Sequence, residues 1–139
     1  MRLPPPPYKT DPSIHARYSI LIVDDERLVT RVLSRVFRQH HLTITHRVSD
    51  AVALQEKQGW AFDVALCDIM IPPHTGLDFF EACRKAAPGL ESQIIFMSGG
   101  PTNRALARRL DTLPNTLLEK PFDLVELRSI VLDLAARID

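Results

Sequence analysis

Ile20-Leu21-Ile22-Val23-Asp24-Asp25-Glu26 is the stretch whose reading decides the fold. Four apolar residues without alternation predict a strand buried on both faces, as in a parallel sheet. Three carboxylates directly after them put acidic chemistry at that strand's C-terminal end. Working outward, the same design recurs three times. Val64-Ala65-Leu66-Cys67 runs into Asp68, Ile94-Ile95-Phe96-Met97 ends at Ser98, and Thr116-Leu117-Leu118-Glu119 ends at Lys120-Pro121. Open α/β sheets place their sites outside the strand C-termini, so these polar ends converge.

Helical patterns fill the gaps, which predicts an α/β doubly wound domain of five strands and five helices over residues 18–138. Strands are expected at 18–23, 42–46, 62–67, 93–97 and 115–118. The first helix, 27–39, carries Leu28, Val32, Leu33, Val36 and Phe37 on its inward face. Ser49 is the expected cap of a helix through Lys57. Gly76 opens a helix with Leu77, Phe80 and Cys83 inward. Thr102 is the expected cap of a short helix through Leu110. Asp123 caps the last helix, which carries Leu127, Ile130, Val131, Leu134 and Ile138. Residues 1–17 form a Pro-rich tail or linker, with Pro4-Pro5-Pro6-Pro7 favouring polyproline geometry.

Composition narrows the classes. The 139 residues suit one domain, and 17 basic against 17 acidic residues give no net charge. A global pull towards nucleic acid or a membrane surface is not expected. No run approaches the roughly 20 apolar residues of a membrane span, and no signal core opens the chain. A cytoplasmic protein is therefore expected, without nucleic-acid or membrane contact by this domain. Cys67 and Cys83 read as small buried hydrophobes. His15, His40, His41, His46 and His74 lack metal-ligand spacing, and His74 is expected to face solvent. Arg104, Arg108 and Arg109 make the fourth helix basic, which suits a partner-facing patch and a solvated face equally.

Acids where many α/β folds have a glycine-rich phosphate loop would repel a bare phosphate. They invite a cation first, and Mg²⁺ fits best, since it takes one or two carboxylates beside phosphate oxygens. The ion leaves Asp68 ionised as a nucleophile. Lys120 adds positive charge for phosphoryl oxygens, and Ser98 adds a hydroxyl donor. Phosphoryl transfer needs mainly such positioning and charge neutralisation.

On these residues the chain resembles the receiver domain of two-component response regulators. Asp24 and Asp25 match the family's acidic pair and Asp68 its phosphoacceptor. Ser98 matches the hydroxyl position and Lys120 the lysine, followed by Pro121. Pro72 and Gly76 match the loop after the third strand. The resemblance implies a flavodoxin-like sheet in the order 2-1-3-4-5 and a cis Lys120–Pro121 bond. It implies Mg²⁺ held by Asp25, Asp68 and the Met70 carbonyl, with Asp24 holding a metal-bound water. A histidine kinase, in cis or in trans, would pass its phosphoryl group to Asp68. Ser98 and Lys120 would then draw towards the new oxyanion and switch a protein-interaction surface. The expected partners are that kinase and a downstream protein or phosphotransfer domain. Such a domain assists its own phosphorylation and dephosphorylation without being a turnover enzyme.

Three positions depart from the family pattern. Leu117 stands where receivers often carry the aromatic residue that reports phosphorylation, so a muted conformational response is expected. Met70 and Gly100 cannot orient an attacking water, so slow self-dephosphorylation is expected. The stretches Phe96–Gly100 and Leu118–Asp123 look like receivers fused to the C-terminus of hybrid sensor kinases. That attachment, with no output domain after the last helix, is the expected context, and a free-standing regulator is the alternative. Two other functions compete: a pseudo-receiver acting as a phosphorylation-independent interaction module, and a metal-dependent phosphatase with an aspartyl nucleophile. Met70, where such phosphatases place a second acid, argues against the latter.

Overall fold

The computed structural model describes residues 16–100 and 103–137. The expected tail thus lies almost wholly outside the described residues, as do Thr102 and Ile138. The elements are β1 (Ser19–Val23), α1 (Arg27–Val36), β2 (His41–Thr45), α2 (Val48–Gln58), β3 (Val64–Asp68) and the two-residue strands β4 (Met70–Ile71) and β5 (His74–Thr75). They continue with α3 (Gly76–Ala86), a 3-10 turn at Leu90–Gln93, β6 (Ile94–Ser98), α4 (Arg104–Asp111), β7 (Leu117–Glu119) and α5 (Leu124–Ala135). The long strands form one parallel sheet in the order β2-β1-β3-β6-β7. Without the small antiparallel β4–β5 hairpin, that is the 2-1-3-4-5 order expected.

Side-chain alternation divides the core into two layers. Leu21, Val23, Ala65, Cys67, Ile94 and Phe96 face α2, α3 and α4. Ile20, Ile22, Val64, Leu66, Ile95 and Met97 face α1 and α5. Both faces of the three central strands are therefore covered, which explains their unbroken apolar runs. The register Ile22↔Leu66↔Ile95 brings the strand ends level. The chain leaves the sheet at Asp24, Asp68 and Ser98 within one neighbourhood.

Three local expectations are corrected. α1 buries Thr30 and Leu33, and Phe37 is buried directly after it, while Leu28 is 73% exposed and Val32 43% exposed. The helix begins directly after Glu26, and this phase rotates Leu28 and Val32 outward. The cap of α2 is Arg47, one residue ahead of the helix that Ser49 was to open. The cap of α4 is Asn103, whose side chain accepts from Leu106 N at 2.8 Å. Asp123 caps α5 as expected, its Oδ1 accepting from Val125 N and Glu126 N.

Candidate functional site

β1 and β2 fix Asp24. Its amide donates to the Thr45 carbonyl at 3.1 Å, and its own carbonyl meets His46 Nδ1 at 2.8 Å. The side chain is fully buried, with Oδ1 accepting from Glu26 N at 2.8 Å. Asp68 is the last residue of β3, and its Oδ1 accepts from Met70 N at 3.2 Å. α3 starts against its backbone: a Cβ on Gly76 would stand 2.7 Å from the Asp68 carbonyl oxygen and 3.1 Å from Ile69 Cα. Only glycine allows so close an approach. Lys120 is anchored by its amide, which donates to Ser98 O at 2.7 Å, and its bond to Pro121 is cis. Pro72–Pro73, between β4 and β5, is also cis; nothing in the sequence pattern singled it out.

The side chains form one ionic cluster. Lys120 Nζ lies 3.0 Å from Asp68 Oδ2, 2.9 Å from Asp24 Oδ2 and 2.5 Å from Glu26 Oε1. Burial alone would lower the lysine's pKa. Its contacts with the carboxylates of Glu26, Asp24 and Asp68 outweigh that and raise it above the ordinary value. Burial pushes Asp24 up from 3.8 to about 6, against the pull of the Glu26 amide and Lys120, with the Asp68 charge adding to the rise. Oxygens of Asp24, Asp25 and Asp68 all lie within 4.8 Å of one another. Asp24 Oδ2 is an ion-pair partner of Lys120 but sits off the hydrogen-bond direction. It is thus a buried carboxylate oxygen without an aligned donor.

The other expected site residues fall around this cluster. Ser98 is buried, but its hydroxyl donates to Gly100 O at 3.0 Å rather than to Asp68. Met70 offers its amide to Asp68 and turns its side chain outward. Leu117, opposite Phe96 at the start of β7, is exposed. His74 is exposed, 3.6 Å from Asp78. Arg109 pairs with Glu81 at 3.1 Å, while Arg104 and Arg108 stay exposed. Glu26 is the functional-site residue that sequence reasoning missed as a contributor. Its only signal was adjacency to the acidic pair. Gly99 also borders the site, with a Cβ position 3.5 Å from Lys120 Cδ.

A parallel sheet in this order, with acids, a hydroxyl and a lysine at its strand ends, is the architecture of a receiver domain. The model of the response regulator receiver domain family matches residues 20–132, and the chain belongs to that family. The DNA-binding transcriptional regulator NtrC of Azospirillum brasilense is 31% identical over 116 residues, 81% of this chain and 23% of that protein. The transcriptional regulatory protein SpaR of Bacillus subtilis is 30% identical over 114 residues, 81% of this chain and 49% of that protein. The chain thus spans less than half the length of these two relatives. In fold it is similar to the BeF3-activated DrrB receiver domain, at a TM-score of 0.72 and 19% identity over 87% of this chain and 99% of that one. A receiver protein from Sinorhizobium medicae gives 0.71 and 24% over 88% and 97%. No helix among the described residues is long and apolar enough to cross a membrane.

Proposed function

We propose that this domain accepts a phosphoryl group on Asp68 from the phosphohistidine of a histidine kinase, carried in the same chain or another. The observation that carries this reading is the juxtaposition of Asp68 Oδ2 and Lys120 Nζ at 3.0 Å beside Asp24 and Asp25. One Asp68 oxygen attacks phosphorus and forms the new P–O bond. The P–N bond breaks, and the donor imidazole keeps the electron pair and takes up a proton. Lys120 balances charge on the transferred oxygens, and the Met70 amide orients the nucleophile.

The cluster fits Mg²⁺: three carboxylates converge, and one buried oxygen lacks an aligned donor. Asp25, Asp68 and the Met70 carbonyl would hold the ion directly and Asp24 through a water; bound there, it supplies charge neutralisation for phosphoryl oxygens. Ser98 would leave Gly100 O for the new oxyanion, moving the loop behind it. An exposed leucine at position 117 in place of a ring supports a small rearrangement. Met70 and Gly100, without charged or amide side chains, support a long-lived phosphoaspartate.

Incubation with Mg²⁺ and acetyl phosphate, followed by intact mass, tests the reading. One phosphoryl group on the wild type and none on Asp68→Asn is the expected result. An unmodified wild type with Mg²⁺ bound would overturn it in favour of a phosphorylation-independent interaction module.

A further inference from the structure

Glu26 has no part in the transfer just described, yet it touches the group that binds the phosphoryl oxygens. It directly precedes α1, and its side chain is 57% exposed. Even so it turns back to put Oε1 2.5 Å from Lys120 Nζ. Its carboxylate has no other hydrogen-bond partner among the described residues, and its amide is committed to Asp24 Oδ1. The contact is therefore made by side-chain reach alone.

Lys120 donates to Glu26 Oε1 and Asp68 Oδ2, and meets Asp24 Oδ2 as an ion pair off the hydrogen-bond direction. A phosphoryl group on Asp68 brings further anionic oxygens to the same ammonium, which has three protons to share. Asp68 carries that group itself, and Asp24 cannot yield, because a backbone amide holds it at a strand end. Glu26 can, since its head is in water and only side-chain torsions must change. Two anions competing for one donor exclude each other, and the exposed, singly tethered one leaves.

We propose that Glu26 is a resting-state anion that occupies Lys120 until Asp68 is loaded and is then displaced. It is a positioning residue that opposes loading through Lys120. This rests on the phosphoacceptor reading above. The expected size is modest, because the pair is partly exposed and screened by salt.

The test uses beryllofluoride as the phosphoryl mimic at saturating Mg²⁺, with affinity read by fluorine NMR and the Lys120 ammonium by nitrogen NMR. Glu26→Gln should bind the mimic about two- to fivefold more tightly than the wild type, with the gap narrowing in high salt. Glu26→Asp keeps the charge but shortens the reach, and should behave like Glu26→Gln. The Lys120 resonance should differ between wild type and Glu26→Gln without the mimic and coincide with it bound; a purely structural role would not produce that state dependence. Equal affinities, a Glu26→Asp variant that behaves like the wild type, or a resonance difference that persists in the loaded state would each overturn the proposal. If the wild type binds no mimic, the phosphoacceptor reading falls and takes this one with it. If the wild type binds and Glu26→Gln changes nothing, only the role of Glu26 falls.

Discussion

Both ends of the sheet bury polar side chains, but they satisfy them differently. At the N-terminal end the partners are backbone groups. Gln55 Oε1 accepts from Ala61 N, Asp63 Oδ2 from Ser19 N, and His40 Nδ1 from Tyr18 N. Gln93 Nε2 donates to Asp63 O and Leu134 O, and Asn115 Nδ2 to Glu91 O and Ile94 O. At the C-terminal end the shared partner is another side chain: Asp24, Glu26 and Asp68 meet on Lys120. Backbone partners are fixed by the fold, so the first set is structural. Side-chain partners can be exchanged for an ion or a phosphoryl group, so the second set is available for chemistry. The difference also sets where stability is spent, because like charges gathered in a buried place oppose folding.

The same substitution at each end breaks this comparison most sharply. Gly76→Ala forces a Cβ to within 2.7 Å of the Asp68 carbonyl oxygen, a backbone atom that cannot step aside. A loss of about 3 kcal/mol is expected by urea unfolding, together with slower labelling by acetyl phosphate as Asp68 shifts. Gly89→Ala, near the start of β6, meets nothing within 4 Å and suffers only its positive φ of 103°. Its cost should be about 1 kcal/mol, with labelling unchanged. Equal losses at the two positions would mean that close packing under Asp68 is not what Gly76 provides.

Asp24→Asn should move stability the other way. In the metal-free protein Asp24 titrates near 6 instead of 3.8. The folded state therefore holds a proton that the unfolded chain gives up, and above pH 6 the charged carboxylate is a net cost. Replacing it by Asn should stabilise the metal-free protein at pH 7.5 by about 2 kcal/mol. It should also remove most of the stabilisation that Mg²⁺ gives the wild type. Thermal unfolding with and without Mg²⁺ checks both halves. A variant less stable than the metal-free wild type would show that the Lys120 pair outweighs the burial cost.

The sequence showed this site because β1, β3 and β6 are covered on both faces. Each reads as an apolar run with a polar residue where it ends, so Asp24, Asp68 and Ser98 marked themselves. Lys120 stood at the end of a shorter run, Thr116–Glu119, and Gly76 read only as a helix opener, so family spacing from Asp68 was needed to tie Gly76 to the site. The face of α1 was not legible. Leu28, Val29, Val32, Leu33, Val36 and Phe37 make an apolar band wider than one helix face, so periodicity could not say which edge packs. Burial chose Leu33 and Phe37 and left Leu28 and Val32 outside. Glu26 was not legible as a contributor either. Its contact with Lys120 spans 94 residues, and local pattern carries no information about a long-range side-chain reach.

His40 offers the finest probe of the structural end. It is buried, stacked on Tyr18 with ring centroids 5.5 Å apart, and tilted against Phe37. Nδ1 accepts from Tyr18 N at 3.1 Å, while Nε2 has no partner among the described residues. The neutral ring therefore carries its proton on Nε2, and a second proton would have to go to buried Nδ1 and displace the Tyr18 amide. Burial first, then the charges of Arg128, Arg17 and His41, hold its pKa below the ordinary 6.5. Below pH 6.5 the unfolded chain therefore takes up a proton that the folded protein refuses. The contribution of neutral His40 is complete above pH 6.5 and is lost as pH falls towards the lower folded value. The slope approaches about 1.4 kcal/mol per pH unit. Asp24 opposes this trend in the same window, because its folded form gains from protonation below pH 6. The measurement therefore belongs in an Asp24→Asn background, with urea unfolding at pH 5.5, 6.5 and 7.5. There His40→Asn, which keeps an acceptor for Tyr18 N, should flatten the decline between pH 6.5 and 5.5. An unchanged decline would assign the acid sensitivity elsewhere and leave His40 as a packing residue alone.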